Sequence, residues 1–107
     1  MGCENQQYVM EMVLFKLKEG TDKDRFYQAA SALSEVLQTD IPGFIRRTLL
    51  HTEDEAEWSD IIHWSNMEMA MNAMEHLKSV AVFHTFVSMI DTEEIIMKHL
   101  VPINLNN

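Results

Sequence analysis

Residues 57–65 read EWSDIIHWS, placing two tryptophans, a histidine and an aspartate within nine positions. Such a stretch is either the wall of a chemical site or aromatic packing in a sheet. Its alternation reads as a β-strand: Trp58, Asp60, Ile62 and Trp64 fall on one face, and Ser59, Ile61, His63 and Ser65 on the other. What Trp64 and His63 do depends on what covers each face, and that has to come from the flanking chain.

Working outward, TEDEAE just before it is an acidic surface loop. The stretch before that, about Phe44–Thr52, is a second strand carrying Arg46 and Arg47, so the two strands should pair as an antiparallel hairpin. Further upstream, YVMEMVLFKLK (8–18) is a strand with two apolar faces. Val9, Val13, Phe15 and Leu17 share one side with Glu11, while Tyr8, Met10, Met12 and Leu14 share the other. In the turn EGTDKD, Thr21 or Asp22 is the expected helix N-cap. Phe26, Ala29, Ala30, Leu33, Val36 and Leu37 then recur at helical spacing. DIPGF ends that helix, since Pro42 cannot continue it and Gly43 lets the chain turn.

Downstream of the opening stretch, Ser65 and Glu68 spell a capping box. Met67, Ala70, Met71, Met74 and Leu77 follow as one apolar stripe, and Phe83, Phe86, Val87 and Ile90 as a second, offset stripe; a kink or short break is expected near Ser79. EEIIMKHLVPI closes as a fourth strand, and NLNN is a tail.

The resulting order is β-α-β-β-α-β, an α+β, ferredoxin-like split βαβ arrangement. It forms a single domain over residues 1–107, with an ordered core of about 8–101. The first and third strands, the most apolar and aromatic, belong at the centre of a four-stranded antiparallel sheet. Two helices cover only one face of such a sheet, yet the first strand is apolar on both. A patch of that kind usually marks an interface, so a homodimer packed sheet on sheet is expected. His63 would then be a polar residue on the dimer face.

Eight Lys and Arg against 17 Asp and Glu give a net charge of −9, which argues against a nucleic-acid partner because little is available to neutralise phosphates. The single cysteine, Cys3, excludes an internal disulfide and a cysteine-based zinc site. No two histidines have H-x-x-x-H or H-E-x-x-H spacing and no glycine-rich phosphate loop is present, so neither a metal nor a cofactor is expected. The apolar runs are too short to span a membrane. MGCENQQ has Gln6 where a myristoylation motif wants Ser or Thr, and no apolar segment follows it; the expected location is cytoplasmic. Nine methionines suggest a soft, adaptable apolar interior.

Over roughly residues 8–101 the chain resembles the dimeric α/β-barrel superfamily, in particular antibiotic-biosynthesis-monooxygenase-like and stress-responsive barrel domains. The resemblance rests on the element order, the IPGF turn and HWSNMEMAMNAMEHLKSVAVFHTF. There Trp64, Ser65, Ala73, His76, Ser79 and Phe83 match the family's strand-ending aromatic, capping residue and helix positions. It implies that Glu11, Val13 and Trp64 face a pocket between sheet and helices. It also implies a cofactor-independent monooxygenase acting on a phenolic or quinol-like aromatic.

On that reading Trp64, with Met71 and Phe83, holds the ring of a small aromatic ligand, and His84 beside Phe83 is a further substrate-binding candidate. Glu11 or His76 is the base: a carboxylate among Val9, Val13 and Phe15 has its pKa raised by desolvation, and His76 matches the family's helix histidine. Each residue has a plainer alternative. Trp64 would be a core tryptophan, Glu11 a strand-end carboxylate reaching solvent or pairing with a Lys, and His76 a structural or exposed helix histidine. The protein would then be a non-catalytic dimeric binding or stress-response barrel, its pocket filled by methionines. Haem-degrading members carry an Asn on the first strand, where this chain has Val13, and their proximal histidine would fall near Val87. A haem-binding reading would therefore rest on the nearby His84 or on His76. His51 and His99 are expected on outer strands, facing solvent.

Overall fold

The computed structural model describes residues 7–105. Four strands, β1 (Val9–Leu17), β2 (Phe44–His51), β3 (Trp58–Trp64) and β4 (Ile90–Leu100), form one antiparallel sheet in the order β2-β3-β1-β4. The helices are α1 (Lys23–Asp40), α2 (Met67–Leu77) and α3 (Ala81–Val87). This is the expected ferredoxin-like arrangement with β1 and β3 central; the second helical segment is split into α2 and α3. Residues 1–6, including Cys3 and most of MGCENQQ, and residues 106–107 of the tail lie outside the described residues.

Local chemistry explains the boundaries. Asp22, of the two candidates, caps α1, its carboxylate accepting from the backbone N–H groups of Asp24 (2.9 Å) and Arg25 (3.4 Å). Thr21 instead closes the preceding turn by donating to the Lys18 carbonyl at 2.6 Å. At α2 the expected capping Ser65 is displaced by its neighbour: Asn66 Oδ1 accepts from Met69 N–H at 2.9 Å. Ser65 is already engaged elsewhere, since its N–H and hydroxyl both reach the Gly43 carbonyl, at 2.9 and 3.2 Å. Gly43 has φ +84°, and a Cβ there would collide with the Met69 side chain. A glycine at this turn thus lets α2 start directly behind Trp64.

The break expected near Ser79 is present, as turn hydrogen bonds from Ser79 to His76 (3.2 Å) and from Val80 to Leu77 (3.0 Å) separate α2 from α3. Ile90 departs from expectation: it does not continue the helical stripe but opens β4, which begins three residues before the Glu93 expected from the sequence. Its pairing with β1 shifts register, from Lys16 opposite Asp91 to Leu14 opposite Ile96.

The core lies between the helices and one sheet face. Phe26 packs edge-on to Trp58 at 5.1 Å and stacks with Phe86 at 5.3 Å, with Phe15 alongside. Val9, Leu37 and Trp64 are also fully buried. Each such side chain contributes about 1.5–3 kcal/mol when buried, an upper bound because unfolded chains are not fully extended. On the opposite face Met10, Met12 and Ile61 are half-buried, while Leu14, Leu50 and Ile96 are 36%, 44% and 50% exposed. His63 is buried on this face with its Nδ1 against the Tyr8 hydroxyl. Its burial first, and the Arg46 charge second, hold its pKa below the ordinary 6.5. Among the described residues no helix is long and apolar enough to cross a membrane.

Candidate functional site: an apolar cavity with two carboxylates

Because side chains alternate along a strand, the face of the sheet under the helices carries Glu11, Val13 and Phe15 from β1, and Asp60, Ile62 and Trp64 from β3. Over them, α1 contributes Leu33 and Leu37, α2 contributes Met74 and Leu77, and α3 contributes Phe83 and Phe86. They line a cavity of about 190 Å³, bordered towards the sheet edge by the partly exposed Ile95 and Met97 of β4. Its lining is apolar except for the two carboxylates.

Glu11 is the more unusual of these. Its side chain is 8% exposed, and its Oε1 accepts the indole N–H of Trp64 at 3.1 Å. His99, directly opposite Glu11 on β4, brings Nε2 to 3.5 Å from the same oxygen. Burial drives the Glu11 pKa above the ordinary 4.5, and the Asp60 charge adds to this; the His99 charge and the Trp64 hydrogen bond pull it back without cancelling the rise. The result is a carboxyl group that holds a proton more tightly than usual at the wall of an apolar cavity, as a general base for a weakly acidic hydroxyl requires.

Asp60 is neutralised differently. Arg47 of β2 grips it with two hydrogen bonds, from Nε to Oδ1 at 2.9 Å and from Nη2 to Oδ2 at 2.7 Å. Its Nη1 donates to the Ala30 carbonyl (2.8 Å) and the Ser34 hydroxyl (3.0 Å), and the guanidinium lies 5.0 Å from the centre of the Phe86 ring. One side chain therefore ties β2 to β3, α1 and α3.

Of the residues singled out in the sequence, Glu11, Trp64 and Phe83 line the cavity. His76, Met71 and His84 do not. The inward face of α2 is set by Ala70, Ala73, Met74 and Leu77, and at about 100° per residue His76 and Met71 turn outward; both are exposed. Met74 takes the place expected for Met71. His84 is exposed too, its Nε2–H donating to the Lys78 carbonyl at 2.6 Å across the α2–α3 break, so the haem reading has no histidine at the cavity. Trp58 is buried but outside the lining, packed among Phe15, Phe26 and Tyr27. Among the described residues no cluster of three or more His, Cys, Asp or Glu is arranged to hold a metal ion.

Three residues of the site were not given roles from sequence. Asp60 and Arg47 had a signal: an aspartate between Trp58 and Ile62 on an inward face calls for a cation, and Arg47 lies on the adjoining strand. His99 had none, since its approach to Glu11 depends on the β1–β4 register; it is half-buried rather than solvent-facing.

No protein-family model matches the chain, and no curated protein matches it in sequence. Solved structures do match. SnoaB, a cofactor-independent oxygenase from Streptomyces nogalater, superposes with a TM-score of 0.67 at 16% identity, over 94% of this chain and 96% of its own. A dimeric ferredoxin-like protein of unknown function from Thermobifida fusca YX gives 0.69 at 13% identity, over 90% and 92%. A dimeric protein of unknown function and ferredoxin-like fold from Bacteroides fragilis NCTC 9343 gives 0.63 at 12%, over 88% and 95%. The chain shares its fold with these proteins, two of which are described as ferredoxin-like.

Proposed function

We propose that this protein is a cofactor-independent monooxygenase acting on a phenolic, quinol-like aromatic. The observation that carries this reading is Glu11: a buried carboxyl group facing an apolar cavity, hydrogen-bonded by the Trp64 indole and raised in pKa by burial. The fold it shares with SnoaB supports the same class of reaction. The cavity of about 190 Å³ holds one aromatic ring, given that about 150 Å³ is enough for benzene, and its partly exposed rim at Ile95 and Met97 leaves space for a fused second.

The reaction would join 1,5-dihydroxynaphthalene and O₂ to give a hydroxynaphthoquinone and water. The phenol O–H proton passes to Glu11, and the resulting anion is electron-rich at the carbon para to its oxygen. Two electrons from that carbon reduce O₂, forming a C–O bond to a peroxide. The O–O bond then breaks as the C–H at the same carbon gives up its proton. The outer oxygen leaves as water, taking that proton and the one held by Glu11, and the product is 5-hydroxy-1,4-naphthoquinone. The side chains bind the ring (Trp64, Phe83, Met74), exclude water, and hold one proton on Glu11.

The exposed apolar face of β1, β2 and β4 supports a second proposal, that two copies pack sheet on sheet as a homodimer. A non-catalytic binding barrel is the alternative reading, favoured by a cavity smaller than the 300–1,000 Å³ usual for ligand sites. Oxygen uptake with 1,5-dihydroxynaphthalene separates the two. An enzyme consumes O₂ and forms the quinone, and Glu11→Gln lowers the rate by roughly 10²–10⁴-fold. Binding without uptake in the wild-type protein leaves only the binding barrel.

A further inference from the structure

We infer that Glu11 is also a charge filter, so that the cavity admits neutral phenols and turns away aromatics bearing a carboxylate. This rests on the reading that the cavity binds phenols. Both ionisable side chains in the lining, Glu11 and Asp60, are acidic. Arg47, the cation beside them, has a side chain only 4% exposed and is committed to Asp60, Ala30 and Ser34, so it does not line the cavity. His99 meets Glu11 at 3.5 Å but is likewise outside the lining, and the helices over the cavity contribute no titratable side chain to it.

A ligand carboxylate would thus be buried without a cation and, with Glu11 in the ionised state in which it serves as base, beside a like charge, two costs that add. A neutral hydroxyl meets neither. Trp64 and His99 both approach Oε1 of Glu11, and among the described residues no hydrogen bond reaches Oε2, which stays available to accept from a phenol.

Two ligands of equal size make the test: 5-hydroxy-1-naphthamide and 5-hydroxy-1-naphthoate, titrated at pH 8 by tryptophan quenching and by calorimetry. The wild-type protein is expected to bind the amide at least tenfold more tightly than the carboxylate. Glu11→Gln, checked for folding by circular dichroism, should cut that ratio at least threefold. A wild-type ratio below ten overturns the filter, and so does a ratio that Glu11→Gln leaves unchanged. If both ligands bind equally, the filter alone falls and the phenol reading stands; if neither ligand nor 1,5-dihydroxynaphthalene binds, both fall.

Discussion

The indole N–H of Trp64 reaches the carboxylate of Glu11 at 3.1 Å, from one central strand to the other. Val9, not Glu11, is the direct partner of Trp64, so the contact is a diagonal one between neighbours on the same sheet face. It links the last residue of β3, where the chain turns into α2, to the one carboxylate of the cavity without an Arg or Lys partner.

The pKa rise of Glu11 has a stability consequence with a definite sign. Above 4.5 the unfolded chain has lost this proton while the folded protein still holds it, so folding binds a proton. The contribution of Glu11 to stability is therefore complete below 4.5 and is lost as pH rises through its folded pKa. Glu11→Gln removes that loss. Thermal melts of both proteins between about pH 5 and pH 9 should show the melting temperature of the variant gaining on the wild type as pH rises. A constant gap would mean that burial does not hold the proton.

Arg47 and Asp60 have side chains only 4% and 6% exposed. Arg47→Met leaves a buried aspartate without its cation and should cost about 3–5 kcal/mol in urea denaturation. The double variant Arg47→Met/Asp60→Leu should recover most of that, because an apolar pair of similar volume replaces the ion pair. A single-variant loss below about 1 kcal/mol would put the pair in the class of screened surface bridges.

The open sheet face gives a third expectation. Static light scattering of the wild-type protein at micromolar concentration should give about twice the 12.4 kDa chain mass. Met12→Asp, at the middle of β1 and half-buried even in one chain, would place an unpaired charge inside the interface and should return the mass to that of one chain. A wild-type mass of 12.4 kDa would remove the dimer.

Strand parity carried most of what was legible beforehand. Alternation alone puts Glu11 with Val13 and Phe15, and Asp60 with Trp58 and Trp64, because a period of two tolerates no drift. Helix phase is less forgiving. The resemblance that singled out His76 matches residue types along the chain, but a one-residue step turns a helical side chain by about 100°, and Leu77 rather than His76 points inward. His99 was out of reach for another reason. Its pairing with Glu11 depends on a register shift in β4 between the partners of Leu14 and Lys16, and on a strand start three residues early. Ser65 spelled the capping motif, yet the Gly43 carbonyl claims it, a contact between chain segments far apart in sequence.

The two tryptophans of EWSDIIHWS are 2% and 1% exposed, so burial does not distinguish them; their neighbours do. Trp64 lines the cavity, meets Phe44 edge-on at 6.0 Å and bonds Glu11, whereas Trp58 sits among Phe15, Phe26 and His51, away from the cavity. Phenylalanine at each position keeps a ring and removes the N–H. Trp64→Phe deprives Glu11 of a hydrogen bond that lowers its pKa, so the acidic limb of the oxygen-uptake profile should move to higher pH. The smaller ring should also weaken 1,5-dihydroxynaphthalene by about 1 kcal/mol, within the range for lost aromatic contact. Trp58→Phe should lower the melting temperature and leave both the profile and the affinity in place. If the two variants shift affinity alike, or if Trp64→Phe merely destabilises, the indole is packing, and Glu11 loses the partner that orients it.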